Sequence, residues 1–340
     1  MSDTDKQYDV VGLGSCTMDM IVSVEDVMRM ELTDKHLSDK KYIAIEHSSK
    51  LNVNTLKFHP GGSAANIACD LSSIGFRTAY IGGIGADQNG KACLGDMKNH
   101  GVDVASVKIF EEESTAISVI IQSPWGRDSS ILAYKGANNL FSEKDVPEDV
   151  LLSTRCFVWT SLTSDGGIEA IQKCLELAKS TNSLIAGAPS ISIIKNRSEE
   201  AISLLEESDI TSLNEEEIFA LTGEDDIHKA MKFMFNLGLK IVNVTLGKDG
   251  QWLSDSKSLV KTKPPKVFPA DTTGAGDAAF SGIIYGVLNK KSLGESAKIA
   301  VSLSAMEIES PGVRVGTPIS YAELEDFMKN HPIIQTEDDF

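Results

Sequence analysis

The sequence predicts an α/β protein whose parallel sheet is covered by helices on both faces. Two observations carry that prediction. From Cys156 onward, short β-prone runs alternate with segments of helical period, the order that builds βαβ units. In addition, Gly61-Gly62 and Gly274-Ala275-Gly276 stand directly before apolar helical patterns, so two helices begin where small residues leave the first backbone N–H groups uncovered. A chain of 340 residues accommodates one large α/β domain or two modest ones.

In chain order, Val10-Val11-Gly12-Leu13-Gly14 reads as a short buried first strand ending in glycines. Residues 41–60 hold short β-prone pieces without a helical period. A helix is expected from about Ser63 to Ile74, closed by Gly75, then a strand from Thr78 to Gly82 and a helix from Gly90 to Asn99. Between about 106 and 135 the pattern changes. Ala116–Ile121 and Ser129–Tyr134 flank the turn-rich Ser123-Pro124-Trp125-Gly126-Arg127-Asp128, which predicts a hairpin outside the βα repeat. Strands follow at 156–160, 183–186, 209–212 and 241–245, with helices near 166–180, 197–207, 215–222 and 226–237. Ala279, Phe280, Ile283, Ile284, Val287 and Leu288 recur at helical spacing. The segment 332–340, with Thr336-Glu337-Asp338-Asp339-Phe340, reads as a solvated acidic tail.

Composition narrows the function. A net charge of −17 speaks against a nucleic-acid partner, which requires a basic surface. It leaves room for a small phosphate ligand held by backbone N–H groups. Cys16, Cys69, Cys93, Cys156 and Cys174 are scattered and form no C-x-x-C, and the histidines show no metal-ligand spacing. The polar start Met1-Ser2-Asp3-Thr4-Asp5-Lys6 lacks an apolar signal region. No apolar run approaches the ~18 residues of a membrane span. A soluble, cytoplasmic protein is expected.

The richest stretch is Asp271-Thr272-Thr273-Gly274-Ala275-Gly276-Asp277. An anion can approach the uncovered N–H groups of a helix that starts at such glycines, at the positive end of the macrodipole. A carboxylate in the same first turn can accept a proton from an attacking hydroxyl, which points to phosphoryl transfer. Taken alone, Gly-x-Gly-Asp also reads as a capping loop with Asp277 as a dipole-stabilising carboxylate. Gly61-Gly62-Ser63-Ala64-Ala65-Asn66 is a second such start, with Ser63 as N-cap in the plainest reading and Asn66 an odd choice for a helix interior. Asn214-Glu215-Glu216-Glu217 fits a capping box, and Thr245-Leu246-Gly247-Lys248-Asp249-Gly250 fits a hairpin turn. Gly12-Leu13-Gly14 lacks the third glycine of a dinucleotide fingerprint, and Gly85–Ala92 lacks the Ser/Thr of a P-loop.

These motifs, in this order from about Val10 to Pro318, resemble the PfkB family of ribokinase-like carbohydrate kinases. The resemblance implies one ribokinase-like domain over 1–340, a doubly wound and mostly parallel central sheet, and a small β-sheet lid from segments 41–60 and 106–135. It implies ATP as donor, Mg²⁺, and a small sugar as acceptor, phosphorylated at a primary hydroxyl. Residue by residue, Asp277 matches the catalytic base, and Gly274, Ala275 and Gly276 match the anion hole. Asp19, Gly62 and Asn66 match the acceptor site, and Thr245, Gly247 and Gly250 match the nucleotide loop. Asn214 and Glu217 match the element that orders Mg²⁺ through water. Asp271 and Thr273, with the Ser310-Pro311-Gly312 loop, match the region where some relatives hold a monovalent cation such as K⁺. Lys135-Gly136-Ala137-Asn138-Asn139 matches the segment that follows the lid strands. Ala186-Gly187-Ala188-Pro189-Ser190 departs from the family's usual Asp-x-Asn. The resemblance also implies a homodimer joined through the lids. A nucleoside kinase on the same fold is the alternative activity, and a non-catalytic ligand-binding regulator is the rival class.

Overall fold

The computed structural model describes residues 6–24, 27–34, 37–122 and 129–340. The Ser123–Asp128 turn of the expected hairpin lies outside the described residues. Among the described residues the larger sheet has nine strands, in the spatial order Ile334–Asp339, Ser258–Lys263, Gln251–Ser254, Ile241–Thr245, Ile210–Asn214, Leu184–Ala188, Thr154–Thr160, Tyr8–Leu13 and Thr78–Ile81. From Thr78–Ile81 across to Ile241–Thr245 every pairing is parallel. The remaining pairings are antiparallel.

The central strands are continuous apolar runs because both faces are covered. Tyr8–Leu13 is buried at every position, and its side chains alternate between two cores. Val11 and Leu13 join Phe157, Trp159 and Ile171 on one face. Val10 joins Val158, Ile67, Phe280 and Ile283 on the other. The second face is the one that matters for function, because there the Ser63–Ser73 helix packs against the Ala275–Leu288 helix.

The structure corrects the reading of the acidic tail. Ile334–Asp339 is a strand, paired in register with Ser258–Lys263 from Lys263↔Ile334 to Ser258↔Asp339. An open sheet edge offers a row of unpaired N–H and C=O groups, and the acidic side chains can take that edge while remaining largely in water. Phe340 anchors the end against Phe235 and His228. Leu293–Ile308, absent from the sequence-based elements, is a helix buried around much of its circumference, so it shows no amphipathic stripe.

A second, smaller sheet has the order Ser129–Tyr134, Ala116–Gln122, Thr17–Val24, Val53–Gly61. Its composition differs from the expected lid. Thr17–Val24 is a central strand, whereas Leu37–Ala44 pairs with Met28–Asp34 in a separate hairpin. Residues of one register row share a face. Ala133, Ser118, Asp19 and His59 form one row, and Leu132, Val119, Met20 and Phe58 form the next, on the opposite face.

Candidate active site

Asp277 lies in the first turn of the Ala275–Leu288 helix. Gly274 precedes that helix at φ 82°, a left-handed conformation that L side chains rarely adopt. A Cβ added at Gly276 would enter open space. The start of this helix therefore faces a cavity with nothing between a ligand and its N–H groups, the arrangement that attracts an anion.

Two residues from another helix meet Asp277. Asn66 Nδ2 donates to Asp277 Oδ2 at 2.6 Å, and Ser63 lines the same cavity wall as the carboxylate. Both stand in the first turn of Ser63–Ser73, whose N-cap is Gly62 at φ 110°. Ser63 is thus not the N-cap that its residue type suggests, and its hydroxyl is available to Asp277. A Cβ on Gly62 would lie 2.0 Å from the Ser15 carbonyl oxygen, so only glycine lets this helix begin so close to the loop before Asp19.

Burial pushes the Asp277 carboxyl above the usual carboxylate range, while the Asn66 and Ser63 side chains and the Arg314 charge pull it back. Asp19, on the lid strand, is pushed up to about 6, mainly by burial. A hydrogen bond from Ser118 and the Arg314 charge oppose that shift, and the Asp277 charge adds to it. The two carboxyls therefore share one electrostatic environment. His59, opposite Asp19 in register, lies against Gly312, where a Cβ would be 2.4 Å from the ring.

Two cavities adjoin at the helix start. The larger, about 720 Å³, is lined by Thr245, Gly247 and Gly250 of the hairpin turn, by Pro265, Val267 and Phe268, and by Ala275 and Gly276. Gly250 has φ 96°, and a Cβ there would meet the Thr262 carbonyl oxygen at 1.9 Å. The smaller, about 210 Å³, brings Asn214 and Glu217 together with Ser63, Gly274, Gly276 and Asp277. Thr245 and Gly276 line both.

Asn214 and Glu217 form the expected capping box, with Glu217 N donating to Asn214 Oδ1 and Asn214 N donating to Glu217 Oε2, both at 2.9 Å. Glu217 Oε1 accepts from Ile191 N at 3.2 Å. Each carboxylate oxygen thus carries one backbone bond and keeps a lone pair for a water. Burial raises the Glu217 carboxyl, and the Asp277 charge adds to that. Asp271 braces the loop ahead of the helix, its Oδ1 accepting from Thr273 N at 3.0 Å and Thr273 Oγ1 at 2.8 Å. The backbone N–H groups of Ala270 and Asp271 donate to Ile308 O, at the carboxyl end of the Leu293–Ile308 helix.

Behind Asp277 lies a polar network that sequence reasoning did not anticipate. Arg314 is 4% exposed, with Nε donating to Asn66 Oδ1 at 2.8 Å and Nη1 to Asp96 Oδ2 at 2.6 Å. Its backbone N–H donates to Glu307 Oε1. Asp70 accepts from Ser281 Oγ and Thr317 Oγ1, both at 3.1 Å. Burial pushes the Asp70 carboxyl well up, and the Glu307 and Asp277 charges add to it. The legible signal was a lone carboxylate inside an apolar helical run, Asp70 beside Leu71 and Glu307 beside Ile308. Nothing in the spacing of Arg314 pointed to it. Cys69, Asp96 and His100 also converge, but the guanidinium of Arg314 already supplies the positive charge at Asp96.

Among known proteins, a 5-dehydro-2-deoxygluconokinase from Clostridium botulinum is 28% identical over 343 residues, covering 96% of this chain and 94% of its own length. A chain described as a probable sugar kinase from Rhizobium etli superposes with a TM-score of 0.81 at 23% identity, covering 95% of this chain and all of its own. Arabidopsis thaliana ribokinase, solved with ribose and ATP, superposes with a TM-score of 0.79 at 21% identity, covering 95% and 99%. These likenesses show the ribokinase-like α/β fold. The model of the pfkB family carbohydrate kinases matches residues 18–320, which span the lid, both glycine-led helix starts and the network behind them, and the protein therefore belongs to that family of ATP-dependent phosphotransferases.

Proposed function

We propose that the protein transfers the γ-phosphoryl group of ATP to a primary hydroxyl of a small sugar, with Asp277 as the base. The observation that carries this reading is the first turn of Ala275–Leu288, where an oriented carboxylate and open backbone N–H groups share one cavity wall. Phosphoryl transfer asks mainly for positioning and charge stabilisation. Gly274, Ala275 and Gly276 would hold the transferring phosphate on backbone N–H groups. Asp277 would take the proton of the attacking hydroxyl, with Asn66 and Ser63 holding the carboxylate in place. Asp19 would accept hydrogen bonds from other acceptor hydroxyls, and the lid would exclude water.

The hairpin turn of Thr245, Gly247 and Gly250 and the apolar wall around Val267 suit the base and ribose of ATP. Mg²⁺ would neutralise charge on the phosphates, and the free lone pairs of Asn214 and Glu217 suit its water shell. Asp271 beside the carbonyl-rich end of Leu293–Ile308 is a set of hard oxygens that suits K⁺. The five cysteines are all unpaired and buried, which supports a reducing compartment such as the cytoplasm. Among the described residues no helix is long and apolar enough to cross a membrane.

A coupled assay across pentoses, hexoses and nucleosides tests the reading, alongside a thermal-shift panel of the same compounds. Turnover and stabilisation with a sugar are expected. Turnover with nucleosides alone would move the protein to the nucleoside kinases. Binding without turnover would favour the regulator.

A further inference from the structure

Asn66 contacts Asp277 through one end of its amide and Arg314 through the other. The two ends of an amide have nearly the same shape and opposite hydrogen-bonding character. With the NH₂ toward Asp277, the carboxylate gains a donor. Flipped, a carbonyl oxygen would face the carboxylate and repel it. A guanidinium has donors and no acceptor, so the Asn66 end that faces Arg314 must be Oδ1. We infer that Arg314 is a positioning residue for the base: its Nε–H fixes the Asn66 amide so that the NH₂ always faces Asp277.

The guanidinium is itself held. Asp96 takes Nη1, Glu307 takes the backbone N–H, and the residue keeps φ 67°, a backbone state uncommon for a side chain of this kind. Such strain survives only where surroundings enforce it. The charged and titratable groups around Asp277 are Asp19 from the lid, Asp70 from the Asn66 helix, Glu217, Glu307 and Arg314. Arg314 is the positive member of that set, so its charge also favours an ionised base. The inference rests on the reading of Asp277 as the base.

Arg314→Lys keeps a charge but not the fork that spans Asn66 and Asp96. Asp96→Ala, at a partly exposed position on the Gln88–Asn99 helix, releases the far end of the guanidinium while leaving Arg314 itself unchanged. Both are measured alone and with Asn66→Ala, after near-ultraviolet circular dichroism confirms folding. We expect kcat to fall roughly tenfold or more for Arg314→Lys and about threefold for Asp96→Ala, with the KM for ATP unchanged. The acidic limb of kcat/KM should move to higher pH in Arg314→Lys. Because Arg314 acts through Asn66, neither substitution should add to the cost of Asn66→Ala. Wild-type kcat in the folded variants, or additive costs, would overturn the inference. A readout independent of turnover is the Asn66 side-chain NH₂ resonance in ¹⁵N-labelled protein, assigned by its loss in Asn66→Asp. It should shift and exchange faster with solvent in Arg314→Lys and Asp96→Ala, and an unmoved resonance overturns the inference. If Arg314→Lys does not fold, Asp96→Ala carries both measurements. A wild type that phosphorylates no sugar or nucleoside would sink the kinase reading, and the amide resonance would still decide the role of Arg314.

Discussion

Asn66 donates to Asp277 at 2.6 Å across 211 residues of sequence, tying the first glycine-led helix to the second. The bond orients a carboxylate that burial would otherwise disfavour in its charged form. Asp277→Asn should therefore lower kcat by about 10²–10⁴-fold, the range expected for a lost general base. ATP binding, measured by calorimetry, should persist, because Asp277 does not line the larger cavity proposed for the nucleotide. Turnover retained in Asp277→Asn would remove this residue from the chemistry.

Burial pushes the Asp19 carboxyl up to about 6, inside the range of a kinase assay. Above that pH the carboxylate is ionised and can accept hydrogen bonds from acceptor hydroxyls. Below it that capacity is lost. Between pH 7 and pH 5, kcat/KM for the acceptor should fall by roughly tenfold, following the ionised fraction, while the KM for ATP stays flat. Asp19→Asn should remove the part of that dependence carried by Asp19 and leave the acidic limb set by Asp277. An acceptor profile unchanged by the substitution would place the titration elsewhere.

Much of this arrangement was legible because it depends on local chemistry. Gly274–Asp277 and Asn214–Glu217 announce helix starts through residue type and spacing, and the strand at Ile241–Thr245 is a short apolar run. Other parts depend on long-range pairing. Thr17–Val24 becomes the centre of the lid only through neighbours far along the chain, and Ile334–Asp339 is held by backbone pairing that acidic side chains do not signal. Arg314 reaches Asn66 across 248 residues, a contact that no periodicity encodes.

Asp70 is buried and its carboxyl is pushed well above its ordinary value by desolvation, then by Glu307 and Asp277. Its unfolded value is about 3.9. A carboxyl whose folded pKa is raised stabilises the fold in its protonated state, and that contribution is lost as pH rises through the folded value. Asp70→Asn keeps the shape without the charge. Its melting temperature should exceed that of the wild type at pH 8, by about 2 °C for each kcal/mol relieved, and the gap should shrink toward pH 4. A gap independent of pH would show that Asp70 ionises with the same pKa in the folded and unfolded protein.

Gly250 closes the hairpin turn of the larger cavity at φ 96°, where an added Cβ would collide with the Thr262 carbonyl. Gly250→Ala should cost roughly 1–3 kcal/mol of stability from backbone strain alone. Because Gly250 and Gly247 line the same wall, the KM for ATP should rise several-fold while the acceptor KM changes little. Equal effects on both substrates would mean that the turn serves only the fold.

The lid exposes an apolar face. Leu132, Val119, Met20 and Phe58 align across all four strands, on the face opposite Asp19 and His59. Leu132 is 61% exposed and Phe58 52% exposed. Leu56 on that same face, two residues along the strand from Phe58, is also half-exposed. A contiguous apolar surface on a sheet calls for a cover, and a second lid offers the same row in return, the self-complementarity that a two-fold interface requires. The protein should sediment as a dimer at micromolar concentration, and Leu132→Asp with Phe58→Asp should yield a folded monomer. The acceptor KM should rise in that monomer, because the outer rows brace the strand that carries Asp19. A wild type that sediments as a monomer would leave the face to another partner, and a dimer that survives both substitutions would place the contact elsewhere on the surface.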